Sequence, residues 1–167
     1  VDGIKFSRQR LFLQRFAAQQ AGKGILIGIC SRNNEADVWE VFDVRQDLEL
    51  RREQIVASRI NWEPKSVNLK SLAAELNLGL DSFVFIDDDP AVCSEINRHC
   101  PEIFTILLPE ATERIPEYFE HLWIFDRLKI TAEDTTRTSS YRAQIERRKV
   151  EAASSDMASF LRELQLV

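Results

Sequence analysis

Residues 83 to 90 read Phe-Val-Phe-Ile-Asp-Asp-Asp-Pro, an apolar run that ends in three consecutive acids. Its four consecutive apolar residues predict a strand covered on both faces, which is typical of a parallel sheet with helices on each side. The three aspartates that follow repel one another unless a cation or a helix cap compensates for their charges. The stretch therefore predicts an α/β fold with an acidic site at a strand end.

Two further apolar runs, Ile25-Leu-Ile-Gly-Ile-Cys30 and Ile103-Phe-Thr-Ile-Leu107, predict two more buried strands. Segments with apolar residues at helical spacing alternate with them, whereas residues 44–63 are expected to be polar and irregular, with a brief apolar patch at Ile55-Val-Ala57. This order predicts a Rossmann-like parallel sheet flanked by helices, with right-handed crossovers. We expect a core over residues 1–125 and a helical C-terminal extension over residues 126–167, as two helices packed on that core.

Composition excludes several classes of function. The 167 residues fit one domain, and a net charge of −5 argues against broad nucleic-acid binding, which needs a basic face. The cysteines Cys30, Cys93 and Cys100 are odd in number and form no CxxC pair, so a reducing cytoplasm is expected. No apolar run approaches the ~20 residues of a membrane span. We expect a cytoplasmic protein that binds neither nucleic acid nor membrane.

The aspartates predict a magnesium site. Mg²⁺ prefers oxygen ligands and usually takes one or two carboxylates together with water and phosphate. Asp87 and Asp88 are the expected ligands, since Asp89 is suited to cap the helix that Pro90 begins. The alternative is that Asp89 caps this helix while the other two acids are only solvated.

Three other residues are candidates for chemistry at the strand ends, where α/β proteins gather their sites. The hydroxyl of Ser31 could donate to a phosphoryl oxygen, joined by the turn of Arg32 and Asn33, although such a serine is more often a turn residue. Lys65 opposes the dipole at a helix start, which makes sense if it faces an anion rather than water. Cys30 could be a nucleophile, but the residues alone favour an inert core thiol.

The C-terminal extension carries a basic cluster with few acids between its members. These residues are Arg137, Arg142, Arg147, Arg148 and Lys149. The cluster indicates a solvated helix face, with a docking patch for an acidic partner as the alternative.

Taken together, Ser31, Lys65 and Asp87-Asp88 resemble the second, third and fourth motifs of the haloacid dehalogenase superfamily. The similarity is greater to its FkbH-like branch, which acts in polyketide biosynthesis, and it covers nearly the whole chain. The stretches that carry it are Ile29-Cys-Ser-Arg-Asn33, Asn61-Trp-Glu-Pro-Lys65-Ser-Val-Asn68, Leu76 to Asp88, Leu122-Trp-Ile-Phe-Asp126 and Thr131 to Tyr141.

The resemblance implies an enzyme that takes a glyceryl or related hydroxyacyl unit from 1,3-bisphosphoglycerate, removes phosphate and loads the unit onto an acyl carrier protein. It implies that Cys30 holds the acyl group as a thioester. Ser31, Arg32, Asn33 and Lys65 would bind phosphate, and Asp87 and Asp88 would bind Mg²⁺. The alternatives are a plain Mg²⁺-dependent phosphatase with an inert Cys30, and a degenerate domain kept as a scaffold in a synthase.

The chain departs from the resembled family in two ways. The opening Asp-x-Asp-x-Thr motif, which supplies the phosphate-attacking aspartate, is absent, and Asp2 does not fit it. Its strand would be the central one of the sheet, and leaving two buried edges unpaired is costly, so we expect that strand upstream of Val1 or on a separate segment. The family also often has Asn at position 89 and an acid at position 92, where this chain has Asp89 and Val92.

Overall fold

A computed structural model describes the backbone of residues 8–126 and 131–163 and the side chains of residues 11–126 and 131–153. Residues 1–7, with Asp2, lie outside this range. In chain order the elements are α1 (Arg8–Gly22), β1 (Ile27–Ser31), α2 (Glu35–Val44), β2 (Ile55–Ile60), α3 (Lys65–Leu76), β3 (Val84–Asp87), α4 (Pro90–His99), β4 (Phe104–Leu107), α5 (Ile115–Glu120) and α6 (Ala132–Glu163). No helix in the described residues is both long enough and apolar enough to cross a membrane.

The four strands form two separate parallel pairs. β1 pairs with β2, with Ser31 opposite Ile60, and β3 pairs with β4, with Asp87 opposite Leu107. Within the described residues, no strand pairing joins one pair to the other. The expected combination of parallel strands and helices is confirmed, whereas the single continuous sheet is not seen in this part of the chain.

Strand β2 corrects the expectation that residues 44–63 are irregular. Its polar residue Arg59 reaches α3, where it donates to the Ser71 hydroxyl at 3.0 Å and pairs with Glu75 at 2.7 Å. These partners satisfy the guanidinium group, so a polar residue is accommodated in a strand next to a helix. Arg59 interrupts the apolar pattern by which β2 could have been predicted, and in the fold the same residue binds β2 to α3.

Helices cover both faces of β3. Phe85 packs in a cluster with Leu72 of α3 and Ile96 of α4. The next residue, Ile86, packs against a second cluster that contains Phe119 of α5. Because successive side chains of a strand point to opposite faces, α3 and α4 lie on one side of β3 and α5 lies on the other.

The C-terminal extension is one helix, α6, where two were expected. Its Ile145 is buried against Val56 of β2 and Leu76 of α3. This contact places α6 against β2 and α3. Between residues 132 and 163 there is neither Gly nor Pro, so nothing in the backbone interrupts the helix.

Three arginines of the basic cluster fasten α6 to the rest of the fold. Arg137, Arg142 and Arg148 donate to backbone carbonyls of Gly24, Arg52 and Glu75, at 3.5, 3.2 and 3.3 Å respectively. Arg142 and Arg148 are nevertheless exposed, as expected for a solvated face, and their contacts add to that exposure rather than replace it. Each of these guanidinium groups gives a backbone carbonyl outside α6 a hydrogen-bond donor. The contacts therefore contribute to holding α6 against the rest of the fold.

Gly24 lies at the closest approach between the end of α1 and α6. Its φ is +82°, and a Cβ there would stand 2.6 Å from the Asp134 side chain. We expect Gly24→Ala to lower the free energy of unfolding by roughly 1–3 kcal/mol, measured by chemical denaturation. Gly22→Ala is the matched control, because a Cβ at Gly22 meets nothing within 4 Å. Equal effects of the two substitutions would contradict this assignment.

Candidate functional site

An ion pair joins the two strand pairs at their carboxyl ends. The Nζ atom of Lys65 lies 2.5 Å from Oδ2 of Asp87. Lys65 begins α3, a short loop after the end of β2, and Asp87 is the last residue of β3, so the ion pair links the helix that follows one strand pair to the end of the other strand pair. The two side chains are only 13% and 9% exposed. The start of α3 and the carboxyl end of β3 are therefore brought together.

This arrangement explains a cation at the start of a helix. The helix dipole disfavours Lys65 at that position, and no side chain of the preceding residue caps α3. The Asp87 carboxylate offsets this cost, and its other oxygen, Oδ1, accepts a hydrogen bond from the backbone N–H of Asp89 at 3.0 Å. Lys65 thus faces the carboxylate at the end of β3 rather than bulk water, and its binding of phosphate remains a prediction.

The three consecutive aspartates have different environments. Asp89 caps α4, accepting from the backbone N–H groups of Ala91 at 2.8 Å and Val92 at 3.4 Å, and Pro90 is the first helical residue. The predicted cap is confirmed. Asp88 is exposed, and among the described residues its carboxylate makes neither a hydrogen bond nor an ion pair.

The donor set suits a hard divalent cation. In the part of the chain that is described, no group of three or more His, Cys, Asp or Glu side chains is arranged around a metal position. The candidates are the carboxylates of Asp87 and Asp88 at one strand end. Mg²⁺ commonly uses one or two protein carboxylates and completes its shell with water and phosphate oxygens, so the pair fits that ion.

The predicted phosphate-binding turn follows β1. Ser31 is half-buried, and its carbonyl accepts a hydrogen bond from the backbone N–H of Asn61 at 3.0 Å. Arg32 and Asn33 are exposed, and the Asn33 side chain accepts from the backbone N–H of Asn34 at 2.8 Å. Ser31 is thereby held at the carboxyl end of β1, while Asn33 shapes the turn. Phosphate binding by these residues remains a prediction.

Cys30 lies within the electrostatic reach of the same site. Burial raises the pKa of its thiol to about 11, and the charge of Lys65 opposes this while those of Asp87 and Glu95 add to it. The thiol is therefore protonated near neutral pH. All three cysteines of the chain are free.

Alkylation by iodoacetamide tests this assignment of Cys30. Raising the pKa from 9.0 to about 11 lowers the thiolate fraction about a hundredfold at pH 8, and the thiolate is the reactive form. We expect Cys30 in the folded protein to react at least that much more slowly than in urea, with the rate rising up to about pH 11. Peptide mass spectrometry measures it, and rapid alkylation at pH 7 would show an activated thiol instead.

Glu95 is a residue of this site that the sequence analysis missed. Its Oε1 accepts hydrogen bonds from the backbone N–H and the hydroxyl of Ser66, which tie α4 to the start of α3. Its Oε2 is buried without a hydrogen-bond partner among the described residues. The sequence offered one indication of this role: Glu95 lies three residues after Val92, on a helix face that is otherwise apolar. Val92 itself is buried in the core, so position 92 offers no ligand.

Comparisons with known proteins relate the chain to a phosphatase domain. No protein-family model matches it, and no curated protein matches it either. Among solved structures it is similar to the crystal structure of the N-terminal part of the protein BF1531 from Bacteroides fragilis, which contains a phosphatase domain and is complexed with Mg. The TM-score is 0.71 and the sequence identity is 30% over 77% of this chain. The chain spans about a third (34%) of the length of that structure.

Proposed function

We propose that this chain forms the core of a Mg²⁺-dependent phosphatase of the haloacid-dehalogenase type. The observation that carries the proposal is the Lys65–Asp87 pair, which holds a cation beside a carboxylate at the shared carboxyl ends of two parallel strand pairs. The similarity to a phosphatase domain crystallised with Mg supports the same reaction and the same cofactor.

The site residues suit phosphoryl transfer. The Lys65 ammonium and the Ser31 hydroxyl can donate to phosphoryl oxygens, and Asp87 and Asp88 would hold Mg²⁺. When bound, the metal supplies positive charge against the transferring phosphoryl group. Overall, water adds to phosphorus, the bond between phosphorus and the substrate oxygen breaks, and inorganic phosphate and a hydroxyl or carboxyl product leave.

The nucleophile belongs, in this proposal, to a strand between β1 and β3. Apolar residues of these strands, Ile27 and Ile29 of β1 and Val84 and Ile86 of β3, are only half-buried. A fifth parallel strand in that position would pair with both edges and bury them. Its carboxyl end would lie between Ser31 and Asp87, where an attacking aspartate is needed. The strand is expected outside the described residues.

Phosphate release tests the proposed reaction. We expect the protein, assayed together with the segment that carries the expected fifth strand, to release inorganic phosphate from acetyl phosphate or p-nitrophenyl phosphate in the presence of Mg²⁺, and EDTA to abolish the release. If there is neither release nor Mg²⁺ binding by calorimetry, the domain is the degenerate scaffold that the sequence analysis left open.

A narrower proposal is acyl loading onto a carrier protein. The Cys30 sulfur would attack the acyl carbon of 1,3-bisphosphoglycerate, the bond from that carbon to the phosphate oxygen would break, and the leaving phosphate would take the thiol proton. Thioester exchange would then pass the unit to the carrier thiol, and hydrolysis would remove the remaining phosphate. The position of Cys30 beside Lys65 favours this route, whereas its raised pKa favours the plain phosphatase.

Mass spectrometry separates the two reactions. The protein is incubated with Mg²⁺, 1,3-bisphosphoglycerate and an acyl carrier protein, with a Cys30→Ala variant as control. A glyceryl adduct on the carrier that requires Cys30 supports acyl loading of the kind used in polyketide biosynthesis. Phosphate release without any adduct supports the plain phosphatase.

A further inference from the structure

Trp62 stands exposed beside the site. Its relative exposure is 76%, and it lies in the short loop from the end of β2 to Lys65 at the start of α3. This loop leaves the carboxyl end of β2, so it borders the same end of the strands as Ser31 and Asp87. A single exposed aromatic residue is ordinary on a protein surface, so its meaning depends on how it is held.

Hydrogen bonds of Asn61 hold the loop that carries Trp62 against α3 and β1. The side-chain amides of Asn61 and Asn68 exchange two hydrogen bonds, of 3.1 and 2.8 Å, and Asn68 is only 4% exposed. The Asn61 side chain also accepts from the backbone N–H of Glu63 at 3.0 Å, and its own backbone N–H donates to the Ser31 carbonyl. The indole is therefore presented by an ordered loop that is anchored to the candidate phosphate-binding turn.

The residues that follow Trp62 include one that faces the site and one that faces solvent. Lys65 points inward to Asp87, whereas Val67 is 52% exposed on the first turn of α3. A phosphorylated molecule whose phosphoryl group lies at Lys65 would extend its carbon portion outward past this loop. An indole face binds C–H groups and rings well, and an aromatic contact of this kind contributes to binding without requiring charge.

We infer that Trp62 is a specificity-determining residue that contacts the carbon portion of a phosphorylated organic substrate, favouring larger carbon portions over the smallest ones. The inference rests on the proposed function, since it places the phosphoryl group at Lys65 and Asp87. It adds a substrate class: phosphorylated compounds with a ring or an extended carbon portion.

Kinetics with two substrates test the inference. We expect Trp62→Ala to raise KM for p-nitrophenyl phosphate about three- to tenfold while KM for two-carbon acetyl phosphate changes less than twofold, and Trp62→Phe to restore most of the loss. The matched control is Trp123→Ala. Trp123 is 73% exposed but packs against Phe104 at the amino end of β4, away from the site. Equal changes for both substrates, or none, would overturn the inference.

A binding measurement separates this inference from the proposed reaction. In a Trp39→Phe/Trp123→Phe variant, Trp62 is the one remaining tryptophan, and phenyl phosphate is expected to quench its fluorescence more than equimolar inorganic phosphate does. If the protein releases no phosphate but this difference is present, the reaction fails and the contact stands. If phenyl phosphate and inorganic phosphate act alike, the contact fails whether or not phosphate is released.

Discussion

Lys65→Met is expected to lower the rate of Mg²⁺-dependent phosphate release at least about a hundredfold, because it removes a donor that faces the transferring phosphoryl group in a site of low exposure. The same change leaves the 9%-exposed Asp87 carboxylate without its cation. Removing one partner of such a pair destabilises a fold by about 3 kcal/mol. Phosphate assays and urea denaturation measure the two effects. If the variant releases phosphate at a rate within a few-fold of the unmodified protein, the assignment of Lys65 to the active site is wrong.

A second substitution separates the effect on chemistry from the effect on stability. In Lys65→Met/Asp87→Asn the unpaired charge is gone, so most of the stability should return while the activity stays absent. Lys149→Met serves as a control for losing a lysine from an ion pair. Its partner is Glu146, both side chains are more than 60% exposed, and such a pair contributes about 0.5 kcal/mol or less.

Asp88→Asn is expected to weaken Mg²⁺ binding more than tenfold and to leave the free energy of unfolding within about 0.5 kcal/mol. The reason is that Asp88 is exposed and, among the described residues, its carboxylate makes no hydrogen bond or ion pair that folding would lose. A charged oxygen ligand is replaced by an amide of the same shape. Isothermal titration with Mg²⁺, checked with Mn²⁺, measures the affinity.

Asp89→Asn is the matched control for this substitution. Asp89 is occupied as the helix cap of α4, and Asn caps helices about as well as Asp does. We therefore expect unchanged Mg²⁺ affinity and unchanged stability. If Asp88→Asn and Asp89→Asn weaken metal binding equally, the assignment of ligand and cap to neighbouring aspartates is wrong.

The strands that could be predicted are those in which the buried residues form an uninterrupted apolar run. Phe83 to Ile86 contains four apolar residues, and the structure has β3 from Val84 to Asp87. In β2, by contrast, Ser58 and Arg59 interrupt the apolar pattern. Arg59 is tolerated because Ser71 and Glu75 of α3 satisfy it. A pattern search cannot see those partners, since they are 12 and 16 residues away and meet only in the fold.

The candidate site shows the same division. The end of the apolar run before Asp87 and the suitability of Asp89-Pro90 for a helix start are local properties, and both were predictable. The contact of Lys65 with Asp87 spans 22 residues, and that of Ser66 with Glu95 spans 29. Glu95 carried no motif, so its place beside the start of α3 could be found only in the structure.

Residues adjacent in the chain were enough to predict the α/β class, the polar residues that follow two of the strands, and the capped start of α4, because each of these features is local. The packing of helices against strands set which charged side chains come into contact. It paired Lys65 with Asp87 across two strand pairs, left Asp88 exposed, and raised the pKa of Cys30 by burial. These outcomes depend on distances between elements and on exclusion of water, which arise only when helices and strands pack together.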